Sequence, residues 1–253
     1  MQEITTKNNK LFISAKKLFE DKKYRDATNL FICETNKVIQ TLIENGFQPR
    51  NILVSKSSKY INLYKNNENN FVLSDNYFNS LSNLASGDGV IGIFTKPKNS
   101  FDFSEGKFIV LDRIQNPGNL GTIIRTMVAF DVKKLIISND SVDLYNPTTI
   151  RASMGGSLLI DAYFTTDLLD TVAKLKKTGV KVFGTALNEK AVPLNKVEFP
   201  NSCAVILGNE GAGVSKNVLK NCDEIVYIPM NPKIDSLNVS IATGIILNKI
   251  YSK

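Results

Sequence analysis

Five short apolar runs in the second half of this 253-residue chain limit its fold more than any other feature: Phe108–Leu111, Lys134–Ile137, Lys181–Thr185, Ala204–Leu207 and Ile225–Ile228. They have strand length and, apart from Lys134, Lys181 and Thr185 at their ends, are apolar in succession and not on alternate residues, which is the pattern of parallel strands buried on both faces. Between them, stretches near 119–130, 146–154, 167–178 and 215–221 carry helical periodicity, and a last helix is expected over about 237–251. Strand–helix alternation of this kind makes an α/β fold with a mainly parallel sheet. In such sheets ligands bind at the carboxyl ends of the strands, where loops lead into helices. Those loops hold the most distinctive residues of the chain.

The first half alternates more weakly. Leu11, Phe12, Ala15, Leu18 and Phe19 recur at helical spacing, so residues 9–23 read as an amphipathic helix. The runs Leu30–Cys33, Ile52–Val54, Phe71–Leu73 and Val90–Phe94 read as strands, and Thr35–Glu44 as a helix with Val38, Ile39, Leu42 and Ile43 on one face. The polar, proline-containing segment Lys96–Ser100 is the best linker in the sequence. Two domains are therefore expected, residues 1–98 and 106–253.

Histidine is absent. That removes Ser-His-Asp and Cys-His triads, His-ligated zinc and a histidine general base from consideration. Cys33, Cys203 and Cys222 have no CxxC spacing and read as buried thiols in a reducing compartment, with no metal site. No apolar run reaches the roughly 20 residues that span a bilayer, and the first ten residues hold no signal-peptide core, so a cytoplasmic protein is expected. Of the net charge of +7, residues 1–100 supply 14 basic against 9 acidic residues, a surplus of five. A basic first half suits a polyanion such as nucleic acid.

Three loops carry the chemistry. The first, after Phe108–Leu111, reads Asn116-Pro117-Gly118-Asn119-Leu120-Gly121-Thr122-Ile123-Ile124-Arg125. Pro117-Gly118 reads as a turn and Asn119 as the helix cap. Arg125 stands among apolar neighbours, either in a surface ion pair or as a guanidinium offered to phosphate or carboxylate. The second, after Ala204–Leu207, reads Gly208-Asn209-Glu210-Gly211-Ala212-Gly213, with Ser215 able to cap the next helix. This spacing is neither the dinucleotide fingerprint nor a P-loop, which argues against a nicotinamide-dependent oxidoreductase. The third runs from Ile228-Pro229-Met230 to Ser236-Leu237-Asn238-Val239-Ser240, with more capping residues than one helix needs.

In this order, the three loops resemble the three motifs of the SpoU/TrmH-type RNA 2′-O-ribose methyltransferases of the SPOUT class. The first hundred residues are similar to that family's RNA-binding domain, a ribosomal-protein-like α/β fold. Members usually show Glu-Gly where this chain has Glu34-Thr35, and often Pro-Gln-Gly where it has Gly87-Asp88-Gly89. The resemblance implies a deep trefoil knot at the C-terminal end, S-adenosyl-L-methionine as cofactor, and a homodimer acting on RNA. An rRNA of the large subunit is favoured, with tRNA or a catalytically silent RNA-binding relative as the alternatives. It implies that Thr185, Ala186, Leu187, Gly208, Ile228 and Leu237 contact the cofactor. It gives Arg125 the catalytic role, with Asn119, Glu210, Ser236 and Asn238 positioning it and the substrate. A guanidinium stays protonated in most settings, so binding phosphate or alkoxide is the safer role for Arg125.

Overall fold

A computed structural model describes residues 1–84, 87–98 and 100–251. In chain order the strands are β1 (Gln2–Ile4), β2 (Leu30–Glu34), β3 (Pro49–Ser55), β4 (Asn70–Leu73), β5 (Val90–Thr95), β6 (Lys107–Asp112), β7 (Lys134–Ser138), β8 (Asp161–Thr165), β9 (Lys181–Thr185), β10 (Val192–Pro193), β11 (Cys203–Gly208) and β12 (Glu224–Tyr227). The helices are α1 (Lys10–Glu20), α2 (Lys22–Thr28), α3 (Asn36–Glu44), α4 (Ile61–Tyr64), α5 (Asp75–Asn79), α6 (Pro117–Ala129), α7 (Pro147–Ala152), α8 (Leu168–Lys177), α9 (Lys216–Asn221) and α10 (Val239–Tyr251). The chain divides into two compact units, Met1–Lys98 with Asp143–Leu158, and Asn99–Val142 with Leu159–Lys253. Asn99, inside the expected linker, lies outside the described residues.

The first unit is a five-stranded mixed sheet of order β1-β4-β3-β5-β2. Its core forms on both faces, one around Phe12, Leu18, Leu53 and Ile91, the other around Phe31, Ile39, Leu42 and Val54. The single helix expected over residues 9–23 is two. Asn9 caps α1 by accepting from the backbone N–H of Leu11, and Asp21 ends that helix and caps α2 by accepting from Lys23. Residues 143–158, expected in the second block, pack in the first unit. Ile150 and Leu158 are buried with Phe31 and Val54. Buried Arg25 donates from Nε and Nη2 to Oδ2 of Asp143 at 3.0 and 2.8 Å, and from Nη1 to the Leu18 carbonyl at 2.8 Å.

The second unit is a seven-stranded sheet of order β10-β12-β9-β11-β6-β7-β8. Every one of its pairings is parallel. β8 escaped the sequence pattern because it is an edge strand: Asp161 and Phe164 are exposed while Ala162 and Thr165 are buried, so its apolar run is broken. β10, two residues long, also went unforeseen, and the remaining strands and helices of this unit fall within three residues of where the periodicity places them. Two register facts matter for the site. Gly208, at the end of β11, is paired with Asp112, at the end of β6. Val226 of β12 is paired with Thr185 of β9, and β9 neighbours β11, so four adjacent strands open their carboxyl ends side by side.

Candidate functional site

Helix α6 begins two residues earlier than expected. Asn116, not Asn119, is its cap: Oδ1 accepts from the backbone N–H of Gly118 at 2.8 Å and of Asn119 at 3.1 Å. Pro117 occupies the first helical position, where a missing N–H costs nothing and the fixed φ suits the helix. The Asn-Pro pair was the legible signal for this start. Relieved of capping, the Asn119 side chain is free to bond across the site.

It does so on both sides. Nδ2 of Asn119 donates to Oε1 of Glu210 at 3.0 Å, and Oδ1 of Asn119 accepts from Nδ2 of Asn238 at 3.1 Å. Oδ1 of Asn238 in turn accepts from the backbone N–H of Ser240 at 2.9 Å and from its Oγ at 2.6 Å, which makes it the cap of α10. One residue from each of the three loops thus joins a single relay. Its direction is set at one end: an ionised carboxylate only accepts, so Asn119 must turn its NH2 toward Glu210 and its oxygen toward Asn238.

Glu210 is held by more than Asn119. Its carboxylate also accepts from the backbone N–H of Asn116 at 3.2 Å and of Gln115 at 3.3 Å. Partial burial opposes ionisation, but these donors outweigh it and hold the carboxyl below its ordinary pKa. The loop that carries Glu210 is shaped by Asn209, whose Oδ1 accepts from the N–H of Gly211 and Ala212 and whose Nδ2 donates to the Arg113 carbonyl at 2.9 Å. Gly213 has φ of +68°, a conformation that favours glycine. The loop returns so tightly that a Cβ on Gly208 would lie 2.0 Å from the carbonyl carbon of Gly213 and from the nitrogen of Val214. Gly208 is therefore required by the chain's own backbone.

A second clamp, not foreseen from sequence, lies beneath. Asp112 is 2% exposed and its carboxylate accepts from Nε of Arg113 at 2.8 Å and from the backbone N–H of Ser215 at 2.8 Å. Nη2 of Arg113 reaches on to the Gly213 carbonyl at 3.3 Å. Ser215 sits at the cap position of α9 but makes no side-chain capping bond.

The other expected site residues fall into place as follows. Arg125 is exposed on α6, two turns beyond Asn119, with no hydrogen bond or ion pair among the described residues. Helix geometry sets it about 9 Å along and about 120° around the axis from Asn119. Ser236 is exposed and Leu237 half-buried just ahead of α10. Thr185 ends β9 with Oγ1 donated to the Ile206 carbonyl at 2.8 Å, so its hydroxyl is spent on the sheet. Ala186 donates its N–H to the Val226 carbonyl at 3.2 Å, Leu187 is 69% exposed, and Ile228 is half-buried just past β12. Helices α6 and α10 run parallel and side by side. The Asn119–Asn238 bond joins their starts, Gly244 faces Thr126 midway, and the rings of Phe130 and Tyr251 lie 5.5 Å apart at their ends.

Residues 106–248 match the SpoU rRNA Methylase family, more than half of the chain. This chain belongs to that family. Residues 12–92 of this SpoU methylase match the MRM3-like substrate binding domain. It is 30% identical to the 23S rRNA (guanosine(2553)-2′-O)-methyltransferase RlmP of Bacillus subtilis, over 98% of each chain. It is 37% identical to the 23S rRNA (guanosine-2′-O-)-methyltransferase RlmB of Acinetobacter baylyi, over 55% of this chain and 56% of that one. The AdoMet-bound rRNA methyltransferase of Sinorhizobium meliloti superposes with a TM-score of 0.85 at 25% identity, covering 98% of this chain and 97% of that one. The SPOUT α/β fold of this SpoU methylase is thereby shown. Among its described residues no helix is long and apolar enough to cross a membrane, and no group of three acidic or cysteine side chains is placed to hold a metal.

Proposed function

We propose that this chain methylates a ribose 2′-hydroxyl of 23S rRNA, with S-adenosylmethionine as methyl donor. The observation that carries the reading is the relay Glu210–Asn119–Asn238, which ties the three motif loops into one site at the carboxyl ends of parallel strands. The full-length likeness to the Bacillus subtilis RlmP supports the substrate class. Work on ribosomal RNA supports a cytoplasmic location.

The residues at the strand ends fit the donor. Leu187, Ile228 and Leu237 present apolar surface beside the ends of β9, β12 and the start of α10, suited to the faces of an adenine ring. The backbone groups of Thr185–Leu187 and Gly208 flank it. When bound, S-adenosylmethionine supplies a methyl group already activated by its sulfonium. What remains for the protein is alignment and charge. In the transfer the ribose O–H bond breaks and an O–CH3 bond forms at the expense of the donor's S–CH3 bond, which would leave S-adenosylhomocysteine, so negative charge gathers on the 2′-oxygen in transit. Arg125, unpaired and exposed, is the cation available to hold that oxygen or the neighbouring phosphate. Asn119, Glu210 and Asn238, fixed by the relay, and Ser236 next to it, position the ribose. The proton passes to an acceptor other than Arg125.

The chain is further proposed to thread through itself in a trefoil knot and to act as a homodimer. Ile241 and Ile245 stand one turn apart on α10, 55% and 39% exposed, an apolar stripe suited to a second subunit. Titration with S-adenosylhomocysteine, followed by methylation of a 23S rRNA transcript and mapping of the 2′-O-methyl group, tests the reading. Micromolar binding and methylation of one ribose are expected. A folded protein that binds no S-adenosylhomocysteine overturns it.

A further inference from the structure

An open cleft of about 560 Å³ lies in the second unit, on the half of the sheet that the methyl donor does not use. Its floor is the carboxyl ends of β6, β7 and β8, at Asp112, Ser138 and Thr165. The polar groups of the floor are already spent on the fold. Asp112 holds Arg113 and Ser215, Ser138 Oγ accepts the N–H of Arg113 at 2.8 Å, and Thr165 Oγ1 donates to the Asp167 carbonyl at 2.9 Å. The rim is different: the side chains of Asn139, Asp140, Lys216 and Asn217 make no hydrogen bond or ion pair among the described residues. Apolar surface is offered there by Leu169, 39% exposed, and by half-buried Leu168.

The cleft is mounted on the site. Nε2 of Gln115 donates to the Asp140 carbonyl at 2.7 Å, the N–H of Ile114 to Ser141 Oγ at 3.1 Å, and the N–H of Val142 to the Ile114 carbonyl at 2.8 Å. Those residues precede Asn116 and Asn119, and the opposite wall continues directly from the Glu210 loop. A polynucleotide seated at the site therefore passes beside the cleft.

We infer that this cleft docks an unstacked nucleotide of the RNA near the methylated one, reading N–H and O–H groups of its base and ribose and not its phosphate. The inference rests on the methyltransferase reading above. Two free amides and a free carboxylate offer acceptors to such donors, and Leu169 with Leu168 offers an apolar bed for the base face. Splayed-out bases are read this way in single-stranded RNA. The Asp140 charge offsets that of Lys216 toward a phosphate, and the Arg113 guanidinium is bonded to Asp112.

The sign of one substitution decides it. Taking a negative charge off a surface near RNA ordinarily tightens binding. If Asp140 accepts from a base or ribose, Asp140→Asn instead raises KM for the 23S rRNA transcript by about fivefold or more, since a buried donor loses its charged acceptor. kcat, S-adenosylhomocysteine affinity and melting temperature stay unchanged. The double variant Asn139→Ala/Asn217→Ala moves KM in the same direction. An unchanged or lowered KM for Asp140→Asn overturns the proposal. Should the wild type methylate no RNA, the enzymatic reading fails on that arm alone, and filter binding of the same transcript to the same variants still judges the cleft by the same signs.

Discussion

Asn238 donates its amide to Asn119 at 3.1 Å across 119 residues of sequence, and Asn119 passes the bond on to Glu210. The start of α10 is therefore oriented by a carboxylate on the loop after β11. Glu210→Gln keeps the shape and removes the obligate acceptor, so Asn119 is no longer held to one orientation. Activity is expected to fall by about tenfold to a hundredfold, the loss of one or two positioning bonds. S-adenosylhomocysteine affinity should hold within about threefold, because Glu210 is not among the residues proposed to touch the donor. Parallel kinetics and calorimetry check the pair, and equal losses in both would place Glu210 in the donor site instead.

The same carboxylate gives a pH signature. Its pKa is lowered in the folded chain by the donors around it, against the opposing effect of burial. A group depressed in this way stabilises above its unfolded pKa, and that stability is lost as pH falls through the folded value. The melting temperature of the wild type should thus drop faster than that of Glu210→Gln on acidification below about pH 4.3, the ordinary glutamate value. Thermal melts from pH 6 to 3 test this, and identical slopes would show that the bonds to Glu210 are weak.

In the first unit, Arg25 and Asp143 form an ion pair with side chains 3% and 8% exposed. Removing one partner strands the other charge in the interior. Arg25→Ala is expected to destabilise the chain by about 3–5 kcal/mol. Arg25→Met with Asp143→Leu should recover most of the loss, since an apolar pair leaves no buried charge. Denaturant melts of the single and double variants measure it.

Thr35 has φ of +81° and ψ of +134°. A β-branched residue occupies this conformation under strain. Thr35→Gly should raise stability by about 1 kcal/mol, the lower end of what such strain costs. A lower melting temperature for Thr35→Gly would show that the threonine side chain supplies compensating contacts.

Gly208 separates backbone demand from ligand demand. Its Cβ would strike the Gly213–Val214 peptide at 2.0 Å, whereas a Cβ on Gly211 meets nothing nearer than Asn209 Oδ1 at 3.7 Å. Backbone cannot step aside as a side chain can, so Gly208→Ala should cost more than the 1–3 kcal/mol range, roughly, of ordinary overpacking. Gly211→Ala should be close to neutral. Equal melting temperatures for the two would contradict the loop geometry.

The sequence was most readable where burial is complete. β6, β7, β9 and β11 are inaccessible over most of their length, so the inner residues of each run had to be apolar or glycine. β8 was missed because half its side chains face solvent, and the break at Asp21 because Glu20-Asp21-Lys22-Lys23 holds no glycine or proline to mark a stop. The three motif loops stood out from their Asn, Gly and Pro content. Their mutual bonding did not, because Asn119 and Asn238 meet only after both helices have packed. Asp112 and Arg113 gave no signal at all: adjacent opposite charges in a loop are ordinary, and only the fold buries one of them. Residues 143–158 read as part of the second block because local periodicity carries no record of which core a helix joins.

Arg125 closes the chemistry. It stands on α6 with no partner among the described residues, which is a poor use of a guanidinium unless a ligand completes it. If it clamps phosphate or the developing alkoxide through two N–H groups, Arg125→Lys keeps the charge but loses the fork. Turnover should fall by about tenfold to a hundredfold for Arg125→Lys and further for Arg125→Ala, with S-adenosylhomocysteine binding intact in both. The proton route adds a second reading. If Arg125 acts by binding and not as a base, the pH–rate profile of Arg125→Lys should keep the wild-type shape at a lower height. A profile that moves to higher or lower pH with the substitution would make residue 125 the proton acceptor and reverse the assignment.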